Sequence, residues 1–186
     1  MRKEEKTKLT YERILSAAME EFGTKSYDSA SLTTLCNEKR ISKGLVYHNF
    51  KNKDELYLKC VEECFKEMTA YFQSKEYKAE HVQKSLHNLF QMRQQFFKEN
   101  PYHCNLFFYT VLQPPKHLRE EIHTLRQPYD EFYVNCFREL LQQLQLRDGI
   151  TIEAAMEYFM IFLGMYNGYF QSKSGEKEDI PALIED

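Results

Sequence analysis

Leu56, Cys60, Cys64, Met68 and Phe72 recur every four residues, with Tyr57, Val61 and Phe65 beside them, and no glycine or proline interrupts the run. A helix puts side chains four apart on one face, whereas a strand alternates every second residue. The run therefore predicts one long helix from about Lys53 to Ser74. Only 6 Gly and 5 Pro occur in 186 residues, which favours long helices over many turns. A hydrophobic content of 42% is enough for a packed core. No internal repeat and no convincing strand is visible, so the expected class is all-α.

The stretch before that helix, Ser31 to Leu56, reads as two short helices and a tight turn. Ser31 can cap the first, because its hydroxyl can accept from an unpaired amide two or three residues on. Leu32, Leu35 and Cys36 fall on one face. Lys39-Arg40-Ile41 fits a three-residue connection with Ile41 as its apolar pin. Ser42 can cap the second helix, with Leu45, Val46 and Phe50 on its inner side and Lys43, Gly44, Tyr47, His48 and Asn49 on its outer side. Asn52 can cap the long helix, whose first turn carries Asp54 and Glu55, the favourable sign at a helix N-terminus. Two short helices joined in this way make a helix-turn-helix, whose second helix enters the major groove of DNA. Lys43 brings charge, Gly44 close approach, and Tyr47, His48 and Asn49 bring donors. Lys53 stands where an ammonium can hold a phosphate.

Charge distribution agrees with that use. The whole chain carries −3, but residues 1–53 hold 11 Lys/Arg and 7 Asp/Glu, a balance of +4. The remainder balances to −7. A basic head on an acidic body fits a local nucleic-acid footprint.

The run from Ile41 to Leu56 resembles the signature of the tetracycline-repressor (TetR) family of bacterial regulators, with matches at Ser42, Gly44, Val46, Tyr47, Phe50, Asn52, Lys53, Asp54 and Leu56. Family members usually have Ala-Gly before the apolar turn residue, where Lys39-Arg40 stand here. Leu35-Cys36 replace a frequent Ile-Ala. The resemblance covers roughly residues 8 to 60. It implies a three-helix helix-turn-helix head (residues 1–53, DNA-binding) joined by a long helix to a helical-bundle body (residues 54–186, ligand binding and dimerisation). It further implies a cytoplasmic bacterial regulator, usually a repressor. Such a homodimer binds a palindromic double-stranded operator and releases it when a small molecule fills the body. The expected DNA-facing set is Ser31, Ser42, Lys43, Gly44, Leu45, Tyr47, His48, Asn49 and Lys53.

In chain order, residues 1–6 are charged and read as frayed, and Thr7 or Thr10 can cap a first helix whose stripe is Tyr11, Ile14, Leu15, Ala18 and Phe22. Gly23 can end it. Beyond the long helix, helices are expected from about 80 to 99, from Tyr102 to Leu112 and from Lys116 to Arg126. Pro128 either kinks that helix or starts the next, and an apolar stripe continues to Leu146. Asp148-Gly149 is a turn, and Thr151 can cap a last helix that runs to about Ser172. The tail from Ser172 is polar and acidic.

Aromatic and Met side chains are abundant in the body. Met68, Phe72, Phe90, Phe97, His103, Phe107, His123 and Tyr133 are the expected pocket set, with Asn167 as a further polar group. Such a lining suits an apolar or a cationic aromatic effector. The last helix is apolar on most of its circumference, as a buried helix is. Phe137, Leu141, Phe159, Phe162, Leu163, Tyr166 and Phe170 form the expected dimer interface, and Gly164 and Gly168 allow close approach.

Two other classes share features with this sequence. Glu120-x-x-His123 has the spacing of a di-iron carboxylate bundle, but such a site needs two copies and none of the other five histidines has Glu three residues before it. The alternative of a helical metal-binding oxidoreductase is thus weak, and a protein-binding adaptor is disfavoured by Lys43, Tyr47 and Lys53. No phosphate loop or nucleophile elbow occurs, so neither catalysis nor a cofactor or metal is expected. No secretory signal or membrane span is evident, and an odd count of 5 Cys fits a reducing cytoplasm. Cys60 and Cys64 read as buried core thiols rather than as a sensor pair.

Overall fold

Side-chain caps start the short helices where the sequence offers a hydroxyl or amide. In the computed structural model, which describes residues 3–173, eight α-helices and a 3-10 turn form the regular structure of the described residues, with no strand among them. They are α1 (Lys3–Thr24), α2 (Leu32–Lys39), α3 (Lys43–Asn49), α4 (Lys53–Gln73), α5 (Val82–Glu99), α6 (Pro101–Leu112), α7 (Arg119–Leu141) and α8 (Ile152–Lys173). The turn is Lys116–Leu118. Ser31 Oγ accepts from Thr34 N at 3.3 Å and Ser42 Oγ from Leu45 N at 3.2 Å. Asn52 Oδ1 accepts from Glu55 N at 2.8 Å, while the Glu55 carboxylate reaches back to Lys51 N. Thr151 Oγ1 accepts from Ala154 N at 3.1 Å and so caps α8.

Several boundaries differ from expectation. α1 begins at Lys3, before either candidate threonine cap. The link between α2 and α3 is Arg40–Ser42, one residue later than the sequence indicates, because Lys39 completes the last turn of α2. α7 ends at Leu141, short of Leu146, and Pro128 lies inside it. The acidic tail falls mostly outside the described residues.

The chain divides into two compact units: one takes residues up to Glu67 together with Asn100–Gln127, the other Met68–Glu99 together with the chain from Pro128 onward. Both α4 and α7 therefore contribute to each unit, and α7 passes from one to the other at its proline. This division by compactness differs from a head ending at residue 53, because α6 packs on α1.

In the first unit, Ile14, Ala18, Phe22, Leu35, Ile41, Val46, Phe50, Leu56, Tyr57 and Cys60 are buried. Tyr11 stacks on Phe50 at 5.2 Å between centroids. Gly23, expected as a helix stop, has another purpose. A Cβ there would lie 2.6 Å from Tyr102 Cβ and 2.7 Å from Tyr102 Cα. The missing side chain lets α6 press against α1, and Asn105 Nδ2 donates to Gly23 O at 2.7 Å across the contact.

In the second unit, Phe72 meets Tyr129 and Tyr133 edge-on at 6.3 and 5.5 Å. Phe137 packs on Phe159 at 3.5 Å between centroids, and Phe90 on Tyr166 at 5.1 Å. α8 is apolar on two opposite sides. Met156, Tyr166 and Phe170 face inward and are buried, whereas Tyr158, Ile161 and Met165 face outward at 71%, 55% and 65% exposure.

The turn before α3 holds a residue under strain. Arg40 adopts φ 53, ψ 45, the left-handed conformation that glycine takes freely and other residues at a cost of about 1–2 kcal/mol. Ile41 N donates to Cys36 O at 2.9 Å and holds the geometry. Two outcomes follow. Arg40→Gly should raise unfolding free energy by about 1 kcal/mol in urea titration. Gly23→Ala should lower it by about 2 kcal/mol or more, because the clash is with backbone and cannot be relieved by a rotamer change. An unchanged midpoint for Gly23→Ala would show that α1 and α6 have room between them.

Candidate nucleic-acid interface

The placement of α3 begins with three polar side chains of α1. Glu21 is 5% exposed, and its Oε1 accepts from Ser31 N at 2.8 Å, at the N-terminus of α2. Lys25 Nζ balances the same carboxylate at 2.9 Å. At the other end of α2, Glu20 pairs with Lys39 Nζ at 2.6 Å. Arg13 Nη2 donates to Lys39 O at 2.8 Å and to Arg40 O at 3.5 Å. An isolated exposed ion pair stabilises little, but Glu21 and Arg13 bond backbone groups at the two ends of one short helix. They satisfy donors and acceptors that a helix end leaves unpaired. Sequence reasoning missed this trio. The available signal was Glu21 at the edge of the Ile14–Ala18–Phe22 stripe, where a carboxylate needs a partner.

Held there, α3 turns Val46 and Phe50 inward, both nearly fully buried. Its other side carries Lys43, Gly44, Leu45, Tyr47 and His48, all exposed, with Tyr47 at 54%. Leu45, which helical spacing puts on the inner side but the family resemblance puts in the DNA-facing set, stands 37% exposed with the polar group. Nothing lies within 4 Å of where a Gly44 Cβ would stand, so the helix offers a flat spot beside Lys43 and Tyr47. Ser31 and Ser42 use their hydroxyls as caps. Asn49 is half-buried and donates to Leu45 O at 2.8 Å, which occupies its amide within the helix. Lys53 Nζ lies 4.3 Å from the Tyr27 ring centroid, a cation–π contact that fixes the start of α4. The Tyr27 hydroxyl donates to Asp54, and His117 Nε2 lies 3.4 Å from the same carboxylate. The Tyr27 hydrogen bond is the chief reason the Asp54 carboxyl is held below its ordinary pKa, with His117 adding to it.

The expected pocket residues are divided between the two units. Met68, Phe72, Phe90, Phe97 and Tyr133 are buried in the second unit. Phe107 and His103 belong to the first, where Phe107 packs on Phe65 at 5.7 Å and His103 Nε2 lies 3.0 Å from Glu67. His123 is exposed, because the buried face of α7 there is carried by Ile122. Glu120 is exposed as well, so the Glu120-x-x-His123 pair lies on the surface. Of the expected dimer residues, Phe137, Tyr166 and Phe170 are covered by their own chain, Leu141, Phe159 and Leu163 are half-buried, and Phe162 is exposed. Besides Phe162, α8 exposes Tyr158, Met160, Ile161, Met165 and Tyr169, with Gly164 and Gly168 also exposed. Cys60 and Cys64 are fully buried, and desolvation pushes both thiols well up, so they stay protonated. No helix among the described residues is long and apolar enough to cross a membrane.

Comparison with known proteins fits this geometry. A family model described as bacterial regulatory proteins, tetR family, matches residues 14–60. A second, described as tetracyclin repressor-like, C-terminal domain, matches residues 80–184, more than half of the chain. The biofilm operon icaADBC HTH-type negative transcriptional regulator IcaR of Staphylococcus epidermidis is 35% identical over 54 residues, 29% of either chain. The transposon Tn10 TetC protein of Escherichia coli is 31% identical over 72 residues, 39% of this chain and 36% of that one. The match thus spans about a third of the length of these curated relatives. A TetR-family regulator from Agrobacterium tumefaciens superposes with a TM-score of 0.71 at 17% identity, covering 92% of this chain and 90% of that one. FadR from Bacillus subtilis, solved in complex with stearoyl-CoA, gives 0.68 at 14% identity with 89% of each chain covered. At such identities the superpositions show the shared all-α fold. The two family models together span the helix-turn-helix and most of the remaining chain, and the protein belongs to the tetR family of bacterial regulatory proteins.

Proposed function

We propose that this protein is a homodimeric repressor that binds a palindromic operator through α3 and leaves it when a small, largely apolar molecule enters the second unit. The observation that carries the DNA reading is the two-sided character of α3: Val46 and Phe50 are buried, and Lys43, Gly44, Leu45, Tyr47 and His48 stand out together. In this reading residues 1–53 bind DNA, and residues 54–186 bind the effector and the second subunit. Lys43, Tyr47 and Lys53 contact phosphates, and Leu45 and His48 contact base edges. Asn49 joins them only by giving up its bond to Leu45 O.

The effector reading rests on the buried rings Phe72, Phe90, Phe97 and Tyr133 of the second unit. The expectation from composition covers apolar and cationic aromatic molecules. Phe72 sits near the end of α4, and Lys53 begins it. A ligand that displaces Phe72 therefore acts on the helix that starts beside α3, and it shifts the balance between two arrangements of the heads. Dimerisation is supported by the outward side of α8. Tyr158, Ile161 and Met165 form an exposed apolar row, the kind of patch that marks an interaction surface, and a second copy covers it with the same surface.

Two measurements test the reading. A gel shift on the DNA around the protein's own gene should show a retarded complex. Lys43→Ala should weaken binding to all sequences alike and lower the salt slope by about one unit, whereas His48→Ala should change base preference. Equal salt slopes for wild type and Lys43→Ala would remove that phosphate contact. Met165→Glu should give a monomer by analytical ultracentrifugation with wild-type helicity and lost operator binding, since two heads must span half-sites about 34 Å apart. A Met165→Glu protein that stays dimeric would place the subunit contact elsewhere.

A further inference from the structure

Arg93 lies on the buried stripe of α5, four residues after Leu89 and four before Phe97, and is 2% exposed. Its guanidinium carbon is 4.9 Å from the centroid of Tyr166 and 5.7 Å from that of Phe90. Nη1 donates to Asn167 Oδ1 at 3.0 Å. Nη2 is buried and has no hydrogen-bond partner, and neither has the buried hydroxyl of Tyr133. No ion pair among the described residues involves Arg93.

A guanidinium keeps its proton inside a protein. It cannot shed its charge as a buried lysine does. Burial of such a charge is costly unless an opposite charge meets it. Two ring faces and one amide soften the cost without neutralising it. The Tyr133 phenol feels the same charge. Burial pushes its pKa up to about 12 while Arg93 pulls the other way, so the hydroxyl is a donor at neutral pH.

We propose that Arg93, Tyr133 and Asn167 form the anion end of the effector site, and that the effector is an apolar monocarboxylate. Its carboxylate oxygens take Arg93 Nη2 and the Tyr133 hydroxyl, and its hydrocarbon part lies among the rings. This assignment rests on the effector reading above and names the ligand class. One guanidinium balances one negative charge; a dianionic phosphate leaves an excess buried charge. A cationic effector, which the acidity of the body suggests, would set like charge beside Arg93. Tyr133 also touches Phe72 at 5.5 Å, so a carboxylate drawn to its hydroxyl engages the ring at the end of α4.

Calorimetry and thermal shift on the full chain decide this, with dodecanoate and 2-naphthoate as probes of aliphatic and aromatic acids. Dodecanol, dodecylammonium and 2-naphthol are the matched controls. At least one acid should bind about tenfold or more tighter than its neutral analogue. Arg93→Met should abolish that preference. Asn167→Asp places a carboxylate beside Nη1, so it should raise the melting temperature without ligand and cancel the response to acids. If Arg93→Met does not fold, Asn167→Asp alone decides. Equal binding of acid and alcohol, or an acid preference that survives in both variants, overturns the assignment. The gel shift separates the two readings. Release of operator by 2-naphthol or dodecylammonium but by neither acid sinks the anion site and leaves the regulator standing. Acid binding through Arg93 in a chain that retards no DNA sinks the regulator and leaves the site.

Discussion

The grip of α1 on α2 is the constraint on which the candidate interface depends. α2 has eight residues and α3 seven, too short to persist alone in water. What keeps them is burial of one side of each and satisfaction of their ends. Glu21 meets the amide at the start of α2, and Arg13 takes the carbonyls at its close. The direction of α3 then follows from a three-residue link whose middle residue, Ile41, is buried. The cost of that link falls on Arg40, which has no other backbone choice once Ile41 N is bonded to Cys36 O. Strain and grip belong together: the left-handed turn persists because both helices beside it are held.

Much of the fold was readable because it is written in local chemistry. Ser31, Ser42, Asn52 and Thr151 were identified as caps from residue type and position alone, and each caps in the structure. The four-residue recurrence from Leu56 to Phe72 gave α4 to within a residue, since every member is buried. The errors share a different origin. Gly23 reads as a stop by propensity, but what it does depends on Tyr102, 79 residues away in sequence. Pro128 is offered as a kink or a start, and which it is depends on how α7 is shared by two units. Leu144 continues the apolar period of α7, yet the helix has already ended and it is exposed.

The candidate sites were readable to an unequal degree for the same reason. The outer face of α3 is a property of seven consecutive residues, so helical spacing placed Lys43, Gly44, Tyr47 and His48 on it, but it put Leu45 inside and the half-buried Asn49 outside. The pocket and dimer sets depend on which side of a helix meets another chain segment. Tyr166 and Phe170 look no different in sequence from Met165 and Tyr169, yet the first two point inward. Arg93 was passed over because a charged residue on an apolar stripe is easily taken as an edge position. Asn167, which was singled out, proves to be its hydrogen-bond partner.

The outward side of α8 also bears on the life of the newly made chain. Tyr158, Ile161 and Met165 are exposed on α8, a helix that is made after α1 to α7. If a second copy covers this row, as proposed, the subunit that has not met its partner is the adhesive species, open to chaperones and proteases. Such pairing is second order in chain concentration, so scarce subunits would stay bare longer. Under the proposed pairing through α8, the abundance of the protein is tied to its assembly, and this one helix face sets how dilute the chain can become before it stays unpaired.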